Sequence, residues 1–157
     1  MVKMLVRGDK HVVKVSDNML QKGWYGGQWV RFVANRTVEF ATKDSFAGFM
    51  LWGYKLKDLD ANQLQFIDTT SGAEFIPWQY ENKSVEANGL ATLICDSGEM
   101  YFNKYVFDTT KVYSYQEKLF VNDNAILTNV DVGSPTVGFV ISTPQDNNDW
   151  LGMILQY

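Results

Sequence analysis

The chain has 157 residues, enough for one domain with a substantial hydrophobic core, and its 46% apolar and 20% charged residues are typical of a folded globular protein. The net charge of −4 argues against a general nucleic-acid binder, because phosphate backbones select basic surfaces. The single cysteine, Cys95, excludes an intrachain disulfide framework and a cysteine-based zinc site.

The first residues, MVKMLVRGDK, lack a long apolar run, so we expect no signal peptide. No stretch of the chain reaches the roughly 18 apolar residues of a membrane span, and we expect no membrane partner. Arg7-Gly8-Asp9 spells an integrin-binding tripeptide, but Gly-Asp is also a common hairpin connection. We therefore predict a hairpin between MLVR and the next strand, HVVKV, which places Val13 and Val15 on one face and Val12 on the other.

Aromatic residues make up 15% of the chain, and they are concentrated in short clusters. The first cluster, GWYGGQW, holds Trp24, Tyr25 and Trp29. Such rings fill a β core when they are buried, and they bind partner proteins or stack on sugars when they are exposed. Because Trp24 and Tyr25 adjoin two glycines, we expect them to lie exposed on a loop.

The middle of the chain alternates apolar segments with turn signals. Ala34-Asn35-Arg36 separates WVRFV from TVEFA, and EMYFNKYVF reads as one alternating strand from Glu99 to Phe107. Evidence for helix is thin: Lys55 to Leu64 would form one or two turns. The polar stretch Glu81 to Asn88 is predicted to be a surface loop.

Asn122-Asp123-Asn124 lies between the apolar runs KLFV and AILT. Asparagine and aspartate tolerate the left-handed backbone conformation that a three-residue hairpin loop requires. We therefore predict a hairpin corner with Asn124 as its left-handed residue, in preference to a ligand or metal loop.

Turn signals recur about every ten residues along the chain, which is the signature of an antiparallel β-sandwich or barrel. We predict an all-β fold, an antiparallel β-sandwich or a small β-barrel (β-tulip-like), with at most one or two short helices. Residues 1–157 are expected to form a single β-rich domain, in which residues 1–27 form either an N-terminal arm or added strands.

Charge is distributed unevenly along the chain. Residues 1–57 hold ten Lys or Arg against four Asp or Glu, whereas residues 58–157 hold four against fourteen. We expect both halves to fold together so that their charges intermix on one surface. The alternative is a dipolar molecule that meets copies of itself or a charged partner.

No arrangement of residues predicts catalysis or a bound cofactor. His11 is the only histidine and lies within a β-branched run, and neither a nucleophile elbow, a P-loop nor a dinucleotide fingerprint is present. Paired acidic residues, Asp146 with Asp149 and Asp123 with Asp131, would offer oxygen ligands to calcium, but the EF-hand spacing is missing. We therefore expect no enzyme activity, no metal site and no cofactor, and we interpret these carboxylates as solvated loop residues.

The last third of the chain resembles head decoration (capsid cement) proteins and related virion structural proteins of tailed bacteriophages. The resemblance rests on KLFVNDNAILT at Lys118–Thr128, on GSPTVGFVI at Gly133–Ile141, and on the closing apolar strand Trp150–Tyr157. A weaker resemblance to the earlier strands of that family is carried by the segment NRTVEFATKDSFAGFMLWG. The sequence departs from the family at Ala125, where a glycine would be usual in such turns.

The resemblance implies a non-enzymatic β-rich subunit that docks on the outside of a capsid and ties neighbouring capsomers together. Its partner would be the major capsid protein. The protein would be made in the host cytoplasm and would lie on the virion surface. A trimer would suit a position on a threefold axis. Two alternatives remain open, a tail or baseplate component and a carbohydrate-binding module. The candidate contact residues are the clustered aromatics and the basic residues near the N-terminus: Lys3, Arg7, Lys10, Trp24, Tyr25 and Trp29.

Overall fold

A computed structural model describes residues 2–4, 10–51, 90–95 and 98–156, which are built mostly from β-strands. The all-β prediction is confirmed. The expected helix at Lys55–Leu64 and the expected loop at Glu81–Asn88 lie outside the described residues. In chain order, the described elements are β1 (Val2–Met4), β2 (Lys10–Val15), α1 (Asp17–Lys22), β3 (Trp29–Ala34), β4 (Thr37–Phe40), β5 (Gly48–Met50), β6 (Leu90–Ile94), β7 (Gly98–Phe102), β8 (Lys118–Val121), β9 (Leu127–Thr128), β10 (Gly138–Ser142) and β11 (Leu151–Leu155).

Five strands form a closed barrel in the order β2-β4-β3-β5-β6, and the pairing of β6 with β2 completes it. All its described pairs are antiparallel except β2 with β4, which run parallel. The predicted alternation in β2 is confirmed, since Val13 and Val15 are buried while Val12 and Lys14 are exposed. This alternation gives β2 one face toward the barrel core and one toward solvent.

Helix α1 follows β2 directly and was not predicted. Ser16 caps its N-terminus, because the hydroxyl oxygen accepts a hydrogen bond from the backbone N–H of Met19 at 3.2 Å. Gly23 ends the helix with a φ of 74°, a conformation that favours glycine. Six residues are too few to show a helical period, so the caps were the only available signal.

The other six strands form a sheet in the order β1-β7-β11-β10-β8-β9. Strand β1 pairs with β7, whereas β2 pairs with β6 of the barrel. Arg7-Gly8-Asp9 itself lies outside the described residues, but β1 and β2 on either side of it belong to different sheets and do not pair as the predicted hairpin requires. The barrel strands occupy one continuous stretch of sequence, between β1 and the remaining strands of the six-stranded sheet.

Strand β7 ends at Phe102, five residues before the predicted end at Phe107. Asn103 stops it, because its carbonyl oxygens accept hydrogen bonds from the next turn. The side-chain oxygen accepts from the N–H of Tyr105 at 3.1 Å, and the backbone oxygen accepts from the N–H of Val106 at 3.1 Å. This local turn competes with the strand and folds Val106 into the core.

The predicted hairpin at Asn122-Asp123-Asn124 is confirmed, since β8 and β9 pair antiparallel on either side of it. The residue with left-handed backbone is Ala125, with a φ of 61°, and not Asn124 as predicted. Asn122 instead organises the loop, because its side-chain oxygen accepts a hydrogen bond from the N–H of Asn124 at 2.9 Å. Ala125, where a glycine would be usual in such turns, is thus the residue that adopts the conformation that glycine favours.

This hairpin loop connects the two sheets. The carbonyl of Ala125 accepts a hydrogen bond from the N–H of Trp29 at 2.8 Å, and Asp123 accepts one from the N–H of Lys43 at 2.9 Å. Beneath these bonds, one hydrophobic cluster joins Trp29 and Phe49 of the barrel to side chains of the six-stranded sheet. A second cluster fills the barrel itself. The loop is therefore a corner that fixes the barrel against the sheet.

Gly138 gives a test of how tightly the six-stranded sheet is packed. A β-carbon added there would lie 2.1 Å from the carbonyl oxygen of Ile154, on the neighbouring strand. Because that atom belongs to the backbone, we expect Gly138→Ala to lower the free energy of unfolding by about 1–3 kcal/mol. Urea denaturation measures the change, with Ser142→Ala on the same strand as the control. An unchanged midpoint for Gly138→Ala would contradict the strand spacing.

Candidate functional site

Two of the three predicted contact aromatics are buried. Trp24 and Trp29 are both 0% exposed, so the prediction that Trp24 lies exposed on a loop is wrong. The turn at Gly26-Gly27 folds the chain back, which places Trp24 in the barrel core and starts β3 at Trp29. Neither side chain reaches a partner surface while the fold is intact.

Tyr25 is half-buried and is the only one of the three with accessible surface. Its ring stacks on the ring of Tyr105, with centroids 5.0 Å apart and planes 9° from parallel. The ammonium of Lys104 lies 5.5 Å from the centre of the Tyr105 ring, within the range of a cation–π contact. Burial and the neighbouring Tyr105 both raise the pKa of Tyr25, so its hydroxyl stays neutral in this pair.

The basic candidates near the N-terminus are not clustered on one element. Lys3 lies in β1, opposite Tyr101 of the six-stranded sheet, and Lys10 lies in β2, opposite Ile94 of the barrel. Arg7 lies outside the described residues. Lys3 and Lys10 therefore belong to different sheets.

An exposed apolar patch lies on the outer face of the barrel. Val12 is 53% exposed and Leu90 is 42% exposed, and strand register places both on the same side of the β2–β6 pair. Leu90 lies opposite Lys14 and Val12 lies opposite Thr92, so Val12 and Leu90 are diagonal neighbours at about 7–8 Å. Large apolar side chains exposed together in this way are typical of surfaces that bind other proteins.

Basic side chains flank these two residues. Lys14 follows Val12 on the same outer face of β2, and the guanidinium of Arg36 donates a hydrogen bond to the Val12 carbonyl at 2.9 Å. Both side chains are exposed. We call Val12, Lys14, Arg36 and Leu90 the barrel patch. The sequence contained a signal for this patch, since Val12 is apolar although the alternation of β2 places it outward, two residues from both Lys10 and Lys14.

The uneven charge follows the architecture. Residues 10–51, which hold most of the barrel, contain six Lys or Arg and three Asp or Glu. Residues 98–156, which hold most of the six-stranded sheet, contain three Lys or Arg and seven Asp or Glu. Residues 52–89 lie outside these ranges, so both the expectation of intermixed charge and the dipolar alternative stay predictions. Val12, Lys14 and Arg36 of the barrel patch lie in the range 10–51, which has the basic excess.

A second apolar site lies on the loops of the six-stranded sheet. Val112 is 74% exposed and Val130 is 43% exposed. The Asn129 side chain donates a hydrogen bond to the Val112 carbonyl at 2.7 Å, which holds the two loops together. Tyr113 anchors the first loop, because its hydroxyl donates to the Asp108 carbonyl at 2.8 Å.

The carboxylates that were considered as calcium ligands accept hydrogen bonds within the loops. Asp146 accepts hydrogen bonds from Tyr115 at 2.5 Å and from Thr143 at 3.2 Å, and Asp131 accepts one from the Gly133 N–H at 2.9 Å. Within the described ranges, no group of three or more His, Cys, Asp or Glu is placed to hold a metal ion. These side chains therefore act as caps and turn anchors at the ends of strands.

Glu39 is the titratable group that ties helix α1 to the barrel. Burial alone would raise its pKa, but hydrogen bonds from the Phe40 N–H, Asn18 and Ser16, together with the charge of Arg31, hold the pKa of Glu39 below its usual value. The three hydrogen bonds measure 2.8, 3.0 and 2.9 Å.

This lowered pKa predicts a pH dependence of stability. A depressed folded-state pKa contributes stability above the unfolded value of 4.5, and that stability is lost as pH falls through the folded-state value. We expect Glu39→Gln to melt below the wild type at about pH 7, and the difference to shrink toward about pH 3. Melting temperatures of both proteins across this range measure the effect, and a constant difference would contradict the role of the carboxylate.

Over the described residues, no helix is both long and apolar enough to cross a membrane. Neither the protein-family models nor the curated proteins compared with this chain match it.

Proposed function

We propose that the protein is a non-enzymatic virion structural protein that docks on the outside of a tailed-phage capsid and stabilises the contacts between capsomers. The observation that carries this proposal is the arrangement of the three segments that resemble capsid decoration proteins. They supply β8 with β9, β10 and β11, and β10 lies between β8 and β11 in one sheet. The three segments that carry the resemblance are thus neighbours in space.

The barrel patch supports the docking role. It combines exposed Val12 and Leu90 with the cations Lys14 and Arg36, so it suits an acidic shell surface with an apolar seam. Burial of the two apolar side chains would supply affinity, and the cations would orient the subunit and accelerate its association. Because Trp24 and Trp29 are buried, we place the contact on this patch and not on the aromatic cluster.

The proposed mechanism is physical reinforcement of the shell, without any chemical reaction. Each copy adds on the order of a few kcal/mol of association free energy at a seam between capsomers. Summed over many copies, this free energy opposes the outward pressure of packed DNA. The major capsid protein is the proposed partner, and the protein would lie on the virion surface.

Co-sedimentation tests this proposal directly. The purified chain is mixed with capsid shells from its source that lack it, and the bound fraction is measured as the chain is titrated. We expect saturation at a fixed ratio to the major capsid protein and a higher melting temperature of the shell. Absence of binding, or binding without saturation, would overturn the docking role.

The basic residues near the N-terminus are tested in the same assay. Charge reversal at Lys3, Arg7 and Lys10 is expected to weaken binding to the shell, most strongly at low ionic strength. If reversal leaves binding unchanged at every salt concentration, these residues take no part in docking, and the barrel patch alone supplies the cations.

A further inference from the structure

An open groove lies on the outer face of the six-stranded sheet, away from the barrel patch. The groove is shallow and open to solvent, with a volume of about 510 Å³. Strands β8 and β10 form its floor, and residues next to β8, β10 and β11 form its ends. The residues that line it are Gln116, Lys118, Thr136, Gly138, Phe139 and Gln156.

The polar side chains of the groove are available to a ligand. Gln116, Lys118 and Gln156 are exposed, and Thr136 is half-buried. Over the residues that the structure describes, none of these four side chains makes a hydrogen bond or an ion pair within the chain. The groove therefore presents two amides, one hydroxyl and one ammonium, all with free hydrogen-bonding capacity.

Backbone hydrogen bonds hold the two glutamines against β10 and the residue before it. The N–H of Gln116 donates to the Val140 carbonyl at 2.8 Å, and the N–H of Gln156 donates to the Val137 carbonyl at 2.7 Å. Three residues of strand separate these carbonyls, which corresponds to about 10 Å.

Phe139 lies between the two amides. Strand register places it directly opposite Lys118 on one side and Ile154 on the other, so all three side chains point to the same face of the sheet. Phe139 is half-buried and so presents part of its ring to the groove. A flat aromatic surface flanked by amides and a hydroxyl is the chemistry that recognises a sugar ring and its hydroxyl groups.

The charge of the groove selects among sugars. Lys118 is its single cation and no acidic residue lines it, although the surrounding residues 98–156 carry an excess of acidic groups. The neighbouring Glu117 is occupied elsewhere, because its carboxylate accepts the N–H of Ser114 at 2.9 Å. A free ammonium beside an aromatic platform suits a sugar that carries a carboxylate.

We propose that this groove binds an acidic saccharide, one that contains uronic acid units. Phe139 stacks against a sugar ring, and Lys118 pairs with its carboxylate. The amides of Gln116 and Gln156 bind hydroxyl groups of this and the adjoining ring.

Gln116 has a left-handed backbone conformation. Gln116 has a φ of 65°, in the left-handed region that glycine adopts at lower free energy. The hydrogen bond from its N–H to the Val140 carbonyl holds the Gln116 backbone in this conformation, while its side chain makes no hydrogen bond within the described part of the chain. The side chain is therefore available to a ligand.

Calorimetric titration with an oligogalacturonate, compared with a neutral oligosaccharide of equal length, tests the proposal on the full chain. At low ionic strength we expect the acidic sugar to bind at least tenfold more tightly. Lys118→Gln should remove that preference, while Lys111→Gln, the same change at an exposed loop position, should leave it unchanged. Phe139→Ala should weaken the binding of both sugars at least tenfold.

Gln116→Gly separates loss of binding from loss of folding. We expect its melting temperature to equal or exceed that of the wild type, since the left-handed strain is relieved, while its affinity for the acidic sugar falls. Failure of the wild type to bind the oligogalacturonate would overturn the proposal. So would binding that survives both Lys118→Gln and Phe139→Ala. If these two variants instead lose binding to capsid shells, the groove is a protein contact and the saccharide site is wrong.

Discussion

Trp29→Ala is expected to lower the free energy of unfolding by about 3–5 kcal/mol, the usual cost of deleting a fully buried large aromatic side chain. The Trp29 side chain is 0% exposed and belongs to the hydrophobic cluster that joins the barrel to the six-stranded sheet. Its ring packs edge-on against Phe46 at 5.7 Å and tilted against Phe49 at 5.5 Å. Removal of the indole leaves a cavity between several rings that backbone shifts cannot close.

The cost reaches both sheets because Phe49 in turn packs against Phe102 of the six-stranded sheet, with ring centroids 5.2 Å apart. Chemical denaturation monitored by circular dichroism measures the change in unfolding free energy. The matched control is Phe32→Ala, an aromatic residue of the same strand that is 48% exposed. Equal losses for the two variants would contradict the placement of Trp29 in a shared core.

The double variant Val12→Asp/Leu90→Asp is expected to weaken binding to capsid shells about a hundredfold. Each exposed apolar side chain that becomes buried at an interface contributes roughly 1–2 kcal/mol, and a new carboxylate on an acidic shell adds repulsion. The two losses combine because both side chains lie on one face of the β2–β6 pair. Both positions are exposed in the free protein, so the variant should fold normally.

Val112→Asp is the control for this experiment. Val112 is 74% exposed, so it tests the same chemistry at a site that we do not assign to docking. Co-sedimentation measures shell binding of all three proteins, and melting temperatures confirm that each is folded. If the control variant loses binding and the double variant keeps it, docking occurs through the loops of the six-stranded sheet and not through the barrel patch.

The strand content was predictable because alternation and turn residues are local signals. In β2, the period of two was sufficient to assign Val13 and Val15 to one face, and that face is the buried one. The hairpin at Asn122-Asp123-Asn124 followed in the same way from residues that favour turns.

Which strands pair with each other was not predictable, because pairing depends on contacts that are distant in sequence. Arg7-Gly8-Asp9 has the composition of a hairpin turn, yet β1 and β2 join different sheets. The left-handed residue after Asn122 was assigned to Asn124 by propensity, and tertiary contacts placed it at Ala125 instead. There the carbonyl is held by the N–H of Trp29, a bond to another sheet that no local pattern reveals.

The candidate site was predicted only in part, for a similar reason. An aromatic cluster beside glycines is equally compatible with an exposed loop and with a tight turn that buries the rings. The structure shows the buried arrangement for Trp24. The barrel patch depends on β2 and β6, which are far apart in the chain and adjacent in the barrel. The charge asymmetry was visible in the sequence, but the assignment of the described segments to the barrel or to the six-stranded sheet required the topology.

The most direct test of the central claim is the copy number of this chain in purified particles from its source, measured by quantitative mass spectrometry against the major capsid protein. A capsid decoration protein should be present in hundreds of copies, at a fixed ratio to the major capsid protein. A dozen copies or fewer would contradict the head location and assign the chain to the tail or baseplate. Its absence from the particles would contradict a virion role altogether.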